Sequence, residues 1–478
     1  MEQGRQQRQE VAITLELRTR IQVRSGCLQA PRSVAPAREA RRGEFEPSWA
    51  SRCCGRPSPR RRRRSSMNVV YERCCGLDVH KKMLVACLIV PGADGQRSKE
   101  VRSCSTMLAD LLALRDWLTA AGCTHVAMES TGVYWKPIYN VLDGSVEVLV
   151  VNAQHLKAVP GRKTDVHDAE WIADLLQHGL LRASYIPSRA QRELRELTRT
   201  RTRLIQQRSQ TINRLQKVLE DSNIKLGSVV SDIMGMSAQA MLKALLEGQT
   251  DPRLLAELAQ GRLRAKREQL EQALVGSFQP HHRFLIQEHL THIDYLDEAI
   301  SRLSREIAEQ LRPFEALLER LDTIVGINRR LAEVLLAEIG TNVKRFPTAK
   351  HLASWAGMCP GNDQSAGKRL SGRTRKGNRW LRTALMEAGH AAAHSKNTYL
   401  SAQYHRLASR RGKQKAVVAL AHSILVIVYM VMSRQEVFKE LGGNYFDERD
   451  RQAVEKRLVR RLEQLGYQVS LHPNDPAA

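Results

Sequence analysis

The sequence predicts an α/β domain with a mixed sheet, followed by two long helices and a mainly helical C-terminal region. Strands and helices alternate over 67–187, and apolar residues repeat at three- and four-residue spacing over 188–320. Helical patterns dominate again over 321–440. A chain of 478 residues has room for about three domains of ~150 residues. We therefore expect these three domains, with an extension at 1–66 and a tail at 441–478.

Residues 1–66 form an Arg-rich extension that we expect to be disordered. They contain 16 Arg, no Lys, 6 Glu and no Asp, and they end in "RPSPRRRRRSS". A segment rich in Arg, Pro and Ser cannot bury a core. Its interpretation stays open between a nucleic-acid-binding arm, a targeting peptide, and a stretch that is not made natively because translation begins at Met67.

Patterned sequence begins at Met67. A strand with a buried run is predicted in "RCCGLDVHKKMLVACLIV", followed by a turn at "PGADG", as in a hairpin. A helix, a strand, a helix and a strand follow in "MLADLLALRDWLTAAG", "THVAMES", "GVYWKPIYNVLDG" and "VEVLVVNA". The next helix contains "GRKTDVHDAEWIADLLQHG". This order is typical of an α/β domain with a mixed sheet.

The region 188–320 is predicted to form an antiparallel coiled-coil arm. Its first long helix is "RAQRELRELTRTRTRLIQQRSQTINRLQKVLE", and a second apolar repeat runs from Leu290 to Ile307. Between 189 and 220 the first helix carries nine Arg or Lys and three Glu. Two interpretations stay open for this charge: a solvated face, or a face that follows a nucleic-acid backbone.

The region 321–440 begins with "LDTIVGINRRLAEVLLAEIG", which resembles a helix-hairpin-helix whose turn amides can meet a phosphate. Next, "GMCPGNDQSAGKRLSGRTRKGNRWLRTAL" is predicted to be a basic loop leading into a helix. The apolar run 416–432 is short for a membrane span and contains His422 and Ser423. We therefore expect a buried helix there and no membrane association.

The net charge is +25 with a pI near 10.0, which favours a polyanionic partner, nucleic acid first. The nine cysteines lack metal-ligand spacing, so we expect reduced thiols and a cytoplasmic protein.

Four acids stand out along the α/β region. Asp78 lies inside an apolar strand, where a carboxylate is costly unless it is paired, protonated or bound to a metal. Glu129 lies at a strand end, and Asp165 and Asp168 are three residues apart at the start of a helix. Four carboxylates from three segments can hold two Mg²⁺ ions against a phosphodiester. Taken singly, each acid can also be a cap or a surface residue.

The quoted segments resemble a known family. "GLDVHKK", "AMESTGVYWKPIYNVL", "NAQHLKAVPGRKTDVHDAEWIADLLQHGLL", "LASWAGMCPGNDQSAGKR" and "KGNRWLR" are similar to the DEDD transposases of the bacterial insertion-sequence family IS110, including its IS1111 subgroup. The resemblance covers roughly 67–440. It implies a RuvC-like, RNase H-type domain with the acid tetrad, then a coiled coil, then a C-terminal transposase domain that supplies a serine.

Carried over residue by residue, the tetrad falls on Asp78, Glu129, Asp165 and Asp168, with Mg²⁺ as the cofactor, and the serine falls on Ser365. The family's Ser-Gly-Gly-Lys pattern has Ala366 in place of its first glycine here. Basic residues expected to bind nucleic acid are Arg162, Lys163, Lys368, Arg369, Arg373, Arg375, Lys376 and Arg379.

The resemblance further implies a DNA recombinase that cleaves and exchanges strands of donor and target DNA through a 5′-phosphoserine. It implies guidance by a structured noncoding bridge RNA, and a dimer or tetramer in which the acids of one subunit meet the serine of another. Such a protein would act in the bacterial cytoplasm, associated with the nucleoid. Two other functions stay open: a metal-dependent junction-resolving nuclease that uses water as nucleophile, and a noncatalytic nucleic-acid-binding scaffold. Ser371 is the second candidate for the nucleophile.

Overall fold

The structure, a computed structural model, describes residues 68–92, 96–130, 132–152 and 168–471. Three of the predicted site residues, Arg162, Lys163 and Asp165, lie outside the described residues.

The α/β region contains one sheet of five strands, and this sheet is mixed, as the sequence predicts. Its strands are β1 (Cys74–Val79), β2 (Met83–Pro91), β3 (Arg97–Ser105), β4 (His125–Glu129) and β5 (Glu147–Val151). The strand order is β3-β2-β1-β4-β5. The β1–β2 and β2–β3 pairs are antiparallel, whereas β1–β4 and β4–β5 are parallel. The central strand β1 is therefore buried between an antiparallel and a parallel neighbour.

Helices cover both faces of this sheet. They are α1 (Leu108–Ala120), α2 (Trp135–Leu142) and α3 (Asp168–Gln177). Helices α1 and α2 share an apolar cluster with alternate residues of the strands, such as Leu77 and Met128. Helix α3 packs on the opposite face, in a cluster that contains Cys74, Ala127 and Ala173. Because side chains alternate along a strand, the two clusters use alternate residues of β1 and β4.

The apolar run that the sequence predicts as one strand is two strands. A turn at 80–82 separates β1 from β2, and the His80 N–H donates to the Met83 carbonyl at 3.0 Å. The three residues of this turn, His80, Lys81 and Lys82, are exposed. Their polar side chains are solvated at a turn and would be desolvated inside the buried sheet.

Two long helices follow, α4 (Arg189–Asp221) and α9 (Pro280–Leu311). They pack against each other in antiparallel directions, because Arg208 contacts Asp297 near their middles while Asp221 at the end of α4 contacts His282 at the start of α9. Between them lie α5 (Leu226–Val229), α6 (Met236–Leu246), α7 (Pro252–Glu257) and α8 (Arg267–Ala273). These short helices enclose their own apolar core with the ends of α4 and α9. Supercoiling of the coiled-coil type stays a prediction.

The C-terminal part of the described chain is mainly helical. Its helices are α10 (Glu315–Asp322), α11 (Arg329–Ile339), α12 (Ala349–Trp355), α13 (Arg379–His394), α14 (Tyr399–Arg411), α15 (Lys413–Arg434), α16 (Tyr445–Arg449) and α17 (Arg451–Gln464). Helix α15 is long and apolar enough to cross a membrane, but 56% of its most apolar window is buried in the protein. It packs against α12, α13 and α14, which agrees with the predicted buried helix.

The C-terminal part differs from the sequence prediction at two places. The segment predicted as a basic loop contains two short antiparallel strands, β6 (Asp363–Ser365) and β7 (Lys368–Ser371). The tail after residue 440 contains α16 and α17, although α17 has no buried residue. Its apolar residues Val454, Leu458 and Leu462 follow helical spacing, a signal that the sequence prediction overlooked, and Leu458 and Leu462 are exposed.

Candidate active site

Asp78 and Glu129 lie side by side at the carboxyl end of the sheet. The parallel register pairs Leu77 with Met128, and the two acids are the next residues on β1 and β4. Residues at matching positions of a parallel pair project from the same face, here the face covered by α3. The Asp78 side chain is 25% exposed, so it is reachable from solvent although its strand is buried.

Helix α3 brings Asp168 to the same edge. A Cβ built on Gly76 would lie 2.3 Å from the Ala169 carbonyl oxygen and 2.4 Å from the Ala173 nitrogen, so α3 crosses β1 in direct backbone contact. The Val70 N–H donates to the Gln177 carbonyl at 2.8 Å, which places the end of α3 near the start of β1. The helix therefore runs antiparallel to β1 and starts, at Asp168, beside the strand's carboxyl end.

Three of the four predicted metal ligands thus converge from β1, β4 and α3, and the fourth lies outside the described residues. The donors are carboxylate oxygens, which Mg²⁺ prefers, and thiolates are not among them. The positive end of the α3 dipole reduces the repulsion that clustered carboxylates exert on one another. The donor chemistry at this edge, which we call the acid edge (Asp78, Glu129 and Asp168), therefore fits Mg²⁺.

His80 contacts the acid edge from the turn after β1. Its Nε2 lies 3.0 Å from Asp78 Oδ2, and its ring is mostly exposed. A histidine that holds one carboxylate oxygen fixes the side-chain rotamer and leaves the second oxygen available.

Another group of metal-type ligands in the described chain lies far along the sequence, at the junction of α4 and α9. The ligand atoms of Asp221, His281 and His282 lie within 4.8 Å of one another. His282 Nδ1 accepts a hydrogen bond from the Gln279 N–H, so its Nε2 carries the proton and donates to Asp221 Oδ2 at 3.0 Å. One nitrogen of His282 therefore caps α9 and the other joins α9 to the end of α4, which leaves neither available to a metal.

Ser365 ends strand β6 at a tight hairpin turn. It pairs with Lys368 across Ala366 and Gly367, which have positive φ angles of 46° and 76°. Two central residues with positive φ are typical of two-residue hairpins. Ser365 is exposed, as a nucleophile that meets a DNA backbone must be, whereas Ser371 is half-buried and its Oγ accepts from the Arg373 N–H at 3.2 Å.

Six of the eight predicted basic residues lie in this hairpin and in the loop after it. Arg369 lies on β7, and exposed side chains are found at Lys368, Arg373, Arg375, Lys376 and Arg379. None of the described ion pairs involves these five exposed side chains. The hairpin and the loop after it therefore present a basic surface, which we call the serine loop (365–379).

A buried polar network holds the base of the serine loop, and sequence reasoning missed it. Asn378 caps α13 by accepting from the Trp380 and Leu381 N–H groups, and its Nδ2 donates to Glu338 Oε2 at 2.6 Å. Glu338 on α11 is fully buried and also accepts from Arg199 Nε and Nη2 at 2.7 and 2.8 Å. The network therefore ties the start of α13 to α11 and α4.

Arg195 completes the network from the neighbouring turn of α4. Its Nε lies 3.5 Å from Glu338 Oε2, and it also donates to the Ala337 carbonyl at 3.0 Å. Burial lowers the pKa of Arg195 to about 10, partly opposed by the charge of Glu338. Arg195 therefore stays charged at neutral pH. The available sequence signal was an acid inside the apolar helix "LAEVLLAEIG", because a buried carboxylate requires a partner.

The four predicted acids and Ser365 lie in segments of the chain that match family models of known proteins. An IS110 DEDD model described as "Transposase" matches residues 75–224, and a model described as "Transposase IS116/IS110/IS902 family" matches residues 318–406. The first segment contains the four acids and the second contains Ser365.

Curated relatives agree with these matches. A "Probable family 20 transposase" from Pseudomonas aeruginosa is 25% identical over 333 residues, which cover 68% of this chain and 89% of the relative. A "Transposase for insertion sequence element IS1111A" from Coxiella burnetii is 24% identical over 388 residues, covering 80% and 94%. An "Insertion element IS110 uncharacterized 43.6 kDa protein" from Streptomyces coelicolor is 28% identical over 305 residues, covering 59% and 73%.

Proposed function

Because the chain belongs to the IS110 family of DEDD transposases, which act on DNA, we propose that it cleaves and exchanges DNA strands through a covalent bond to Ser365. The observation that carries this proposal is the convergence of Asp78, Glu129 and Asp168 at one edge of the sheet. An exposed hydroxyl in a basic loop supplies the other half of the chemistry.

The acid edge, together with Asp165, would bind magnesium. Members of this family are typically metal-dependent. When bound, Mg²⁺ supplies Lewis-acid stabilisation of the negative charge that develops on the phosphate oxygens. The protein contributes rigidity, because two of these ligands are on buried strands and a third is on a helix in backbone contact with one strand.

In the proposed reaction, the Oγ atom of Ser365 attacks a backbone phosphorus. The Ser–O–P bond forms while the bond from phosphorus to the 3′ oxygen breaks, the serine proton is lost to solvent or a base, and the 3′ oxygen is protonated. The products are a free 3′-hydroxyl and a 5′-phosphoserine. A 3′-hydroxyl from another strand reverses the step, so strands are exchanged without an external energy source.

We infer that the acid edge and Ser365 meet between subunits. None of the described hydrogen bonds joins β6 or β7 to Asp78 or Glu129 within this chain. An assembly in which the acids of one copy face the serine of another would bring them together, as a dimer or tetramer. The partners would be donor and target DNA and a structured bridge RNA that reads the target by base pairing, in the cytoplasm at the nucleoid.

The test of the nucleophile is mass spectrometry of a trapped protein–DNA adduct. Wild-type protein and variants are incubated with Mg²⁺, DNA containing the element ends and the element's noncoding RNA. We expect an adduct peptide that contains Ser365, its loss in Ser365→Ala, and its persistence in the matched control Ser371→Ala. An adduct at Ser371 or at a tyrosine contradicts the assignment, and undiminished cleavage by Ser365→Ala indicates a water-using nuclease instead.

The role of the acid edge is tested by Asp78→Asn. This change keeps the side-chain shape and removes one charge, so we expect strand cleavage to fall by roughly 10³-fold or more while DNA and RNA binding are retained. Glu100→Gln, on the exposed edge strand β3, is the matched control and should leave cleavage unchanged. Full recombination activity of Asp78→Asn would instead support a scaffold with structural acids.

A further inference from the structure

The outward face of α4 is polar and carries no acid over six turns. Between Glu196 and Glu220 the chain has no Asp or Glu. Five exposed residues in this stretch lie on the side of the helix opposite the buried Leu215 and Thr198. We call these five residues the arm stripe: Arg203, Gln206, Gln210, Arg214 and Lys217.

The stripe's cations take part in none of the described ion pairs, although Arg203 also contacts an aromatic ring. Three other arginines of α4 form ion pairs within the fold: Arg199 with Glu338, Arg201 with Glu333, and Arg208 with Asp297. No described carboxylate pairs with the three cations of the stripe. Helix α4 therefore separates its cations into a structural set that faces the protein and a set that faces solvent.

Solubility does not account for this exposed charge. Helix α9 is as long as α4 and packs against it, yet it carries three Arg or Lys and six Asp or Glu, whereas α4 carries nine and four. Helix α9 is therefore solvated with a net negative charge, and solvation of α4 does not require a net positive charge. The positive excess on α4 indicates a ligand of negative charge.

The stripe is continuous with the serine loop. Trp380, in the first turn of α13, lies under Arg203 with the guanidinium carbon 5.3 Å from the ring centroid, and Arg199 lies 5.7 Å from the same ring. Arg379, the residue before Trp380, is exposed at the end of the serine loop. From Arg203 to Lys217 the stripe extends the basic surface by ~21 Å along α4, the length of about six base pairs.

We propose that the arm stripe binds the phosphate backbone of a nucleic-acid duplex that enters the serine loop. Three cations along one helix face can meet phosphates of the backbone at separate points, and Gln206 and Gln210 between them can donate hydrogen bonds to phosphate or sugar oxygens without reading sequence. The stripe contains none of the acids of the acid edge, and binding to it does not depend on the chemistry at Ser365.

The test measures the affinity of the full chain for two probes over a series of salt concentrations. The probes are a DNA duplex and an RNA duplex of about 30 base pairs with unrelated sequences. In Arg214→Gln/Lys217→Gln, which leaves Arg203 on Trp380, we expect DNA affinity to fall roughly tenfold and the slope of log affinity against log salt to decrease by about 1.8. A loss confined to the RNA probe assigns the stripe to RNA.

The matched control removes the same charge from α9, in Arg283→Gln/Arg302→Gln. It should leave both affinity and slope unchanged, because those arginines lie on the other helix. Equal losses in the control would show that net charge alone is responsible, and an unchanged slope for both probes in the stripe variant would overturn the proposal. The melting temperature of each variant verifies folding, and the charge-retaining Arg214→Lys should restore DNA binding.

Discussion

The acid edge and the serine loop are built by opposite means. The acid edge is fixed by packing, because α3 crosses β1 at Gly76 with no room for a side chain. The serine loop begins with a two-residue hairpin turn and is exposed. Its base is anchored by Asn378 and a buried carboxylate, Glu338. One half of the proposed active site is thus positioned by close contact between backbones, and the other by a hydrogen-bonded ion cluster.

This difference fits the two roles. Metal ligands require fixed geometry, since misplacement of reacting groups by about 1 Å can cost ~10²-fold in rate. A nucleophile that must reach a DNA strand, attack and later release it benefits from an exposed hairpin on a fixed base. Mutations at Gly76 and at Glu338 should therefore act on different parts of the protein.

The largest effect on stability is expected for Glu338→Ala. The change leaves the guanidinium of Arg199 and the amide of Asn378 without their buried acceptor, so the free energy of unfolding should fall by about 3–5 kcal/mol. Amide hydrogen exchange should accelerate in the first turn of α13 before it does in β1. The measurement is urea denaturation together with exchange mass spectrometry.

The control for this prediction is Glu193→Ala, which removes an exposed ion pair with Arg189. An exposed pair at this spacing contributes about 0.3–0.5 kcal/mol, so little should change. If Glu338→Ala were as mild as the control, or if exchange rose first in β1, the serine loop would not be anchored by this carboxylate.

The sequence predicted one half of this site better than the other. The alternation of strands and helices could be predicted because it follows from local periodicity. The same periodicity placed Asp78 and Glu129 on strands. The Glu338 network could not, because its members are 139 and 40 residues apart in the chain and their pairing depends on tertiary packing. The hairpin at Ser365 was also missed, since two short exposed strands have too few residues to show a period.

An intermediate effect is expected for Gly76→Ala, which perturbs the acid edge. The added Cβ would meet backbone atoms of Ala169 and Ala173 at 2.3 and 2.4 Å, so α3 and its first residue Asp168 must move away from β1. We expect a loss of about 1–3 kcal/mol in the free energy of unfolding. Strand cleavage should fall roughly 10²-fold although Ser365 is untouched. Thermal denaturation and a cleavage assay measure the two effects.

The matched control is Gly227→Ala on α5, where the nearest atom to an added Cβ is a side-chain nitrogen at 3.9 Å. Alanine is a better helix former than glycine by up to about 1 kcal/mol, so this variant should be neutral or slightly more stable. A cleavage rate unaffected by Gly76→Ala would mean that α3 does not set the geometry of the acid edge.

The smallest effect is expected at the hairpin turn, in Ala366→Gly. Ala366 has a φ of 46°, a left-handed conformation that costs an L residue about 1–2 kcal/mol, and glycine adopts it without this cost. Glycine also raises the entropy of the unfolded chain, which offsets roughly 0.5–1 kcal/mol. We expect slower amide exchange in β7 by a few-fold, measured on the folded protein. Ala366→Val, a β-branched residue at positive φ, should accelerate that exchange. Because the acid edge is held by other contacts, neither variant should alter exchange in β1, and a change there would show that the two halves are coupled within one chain.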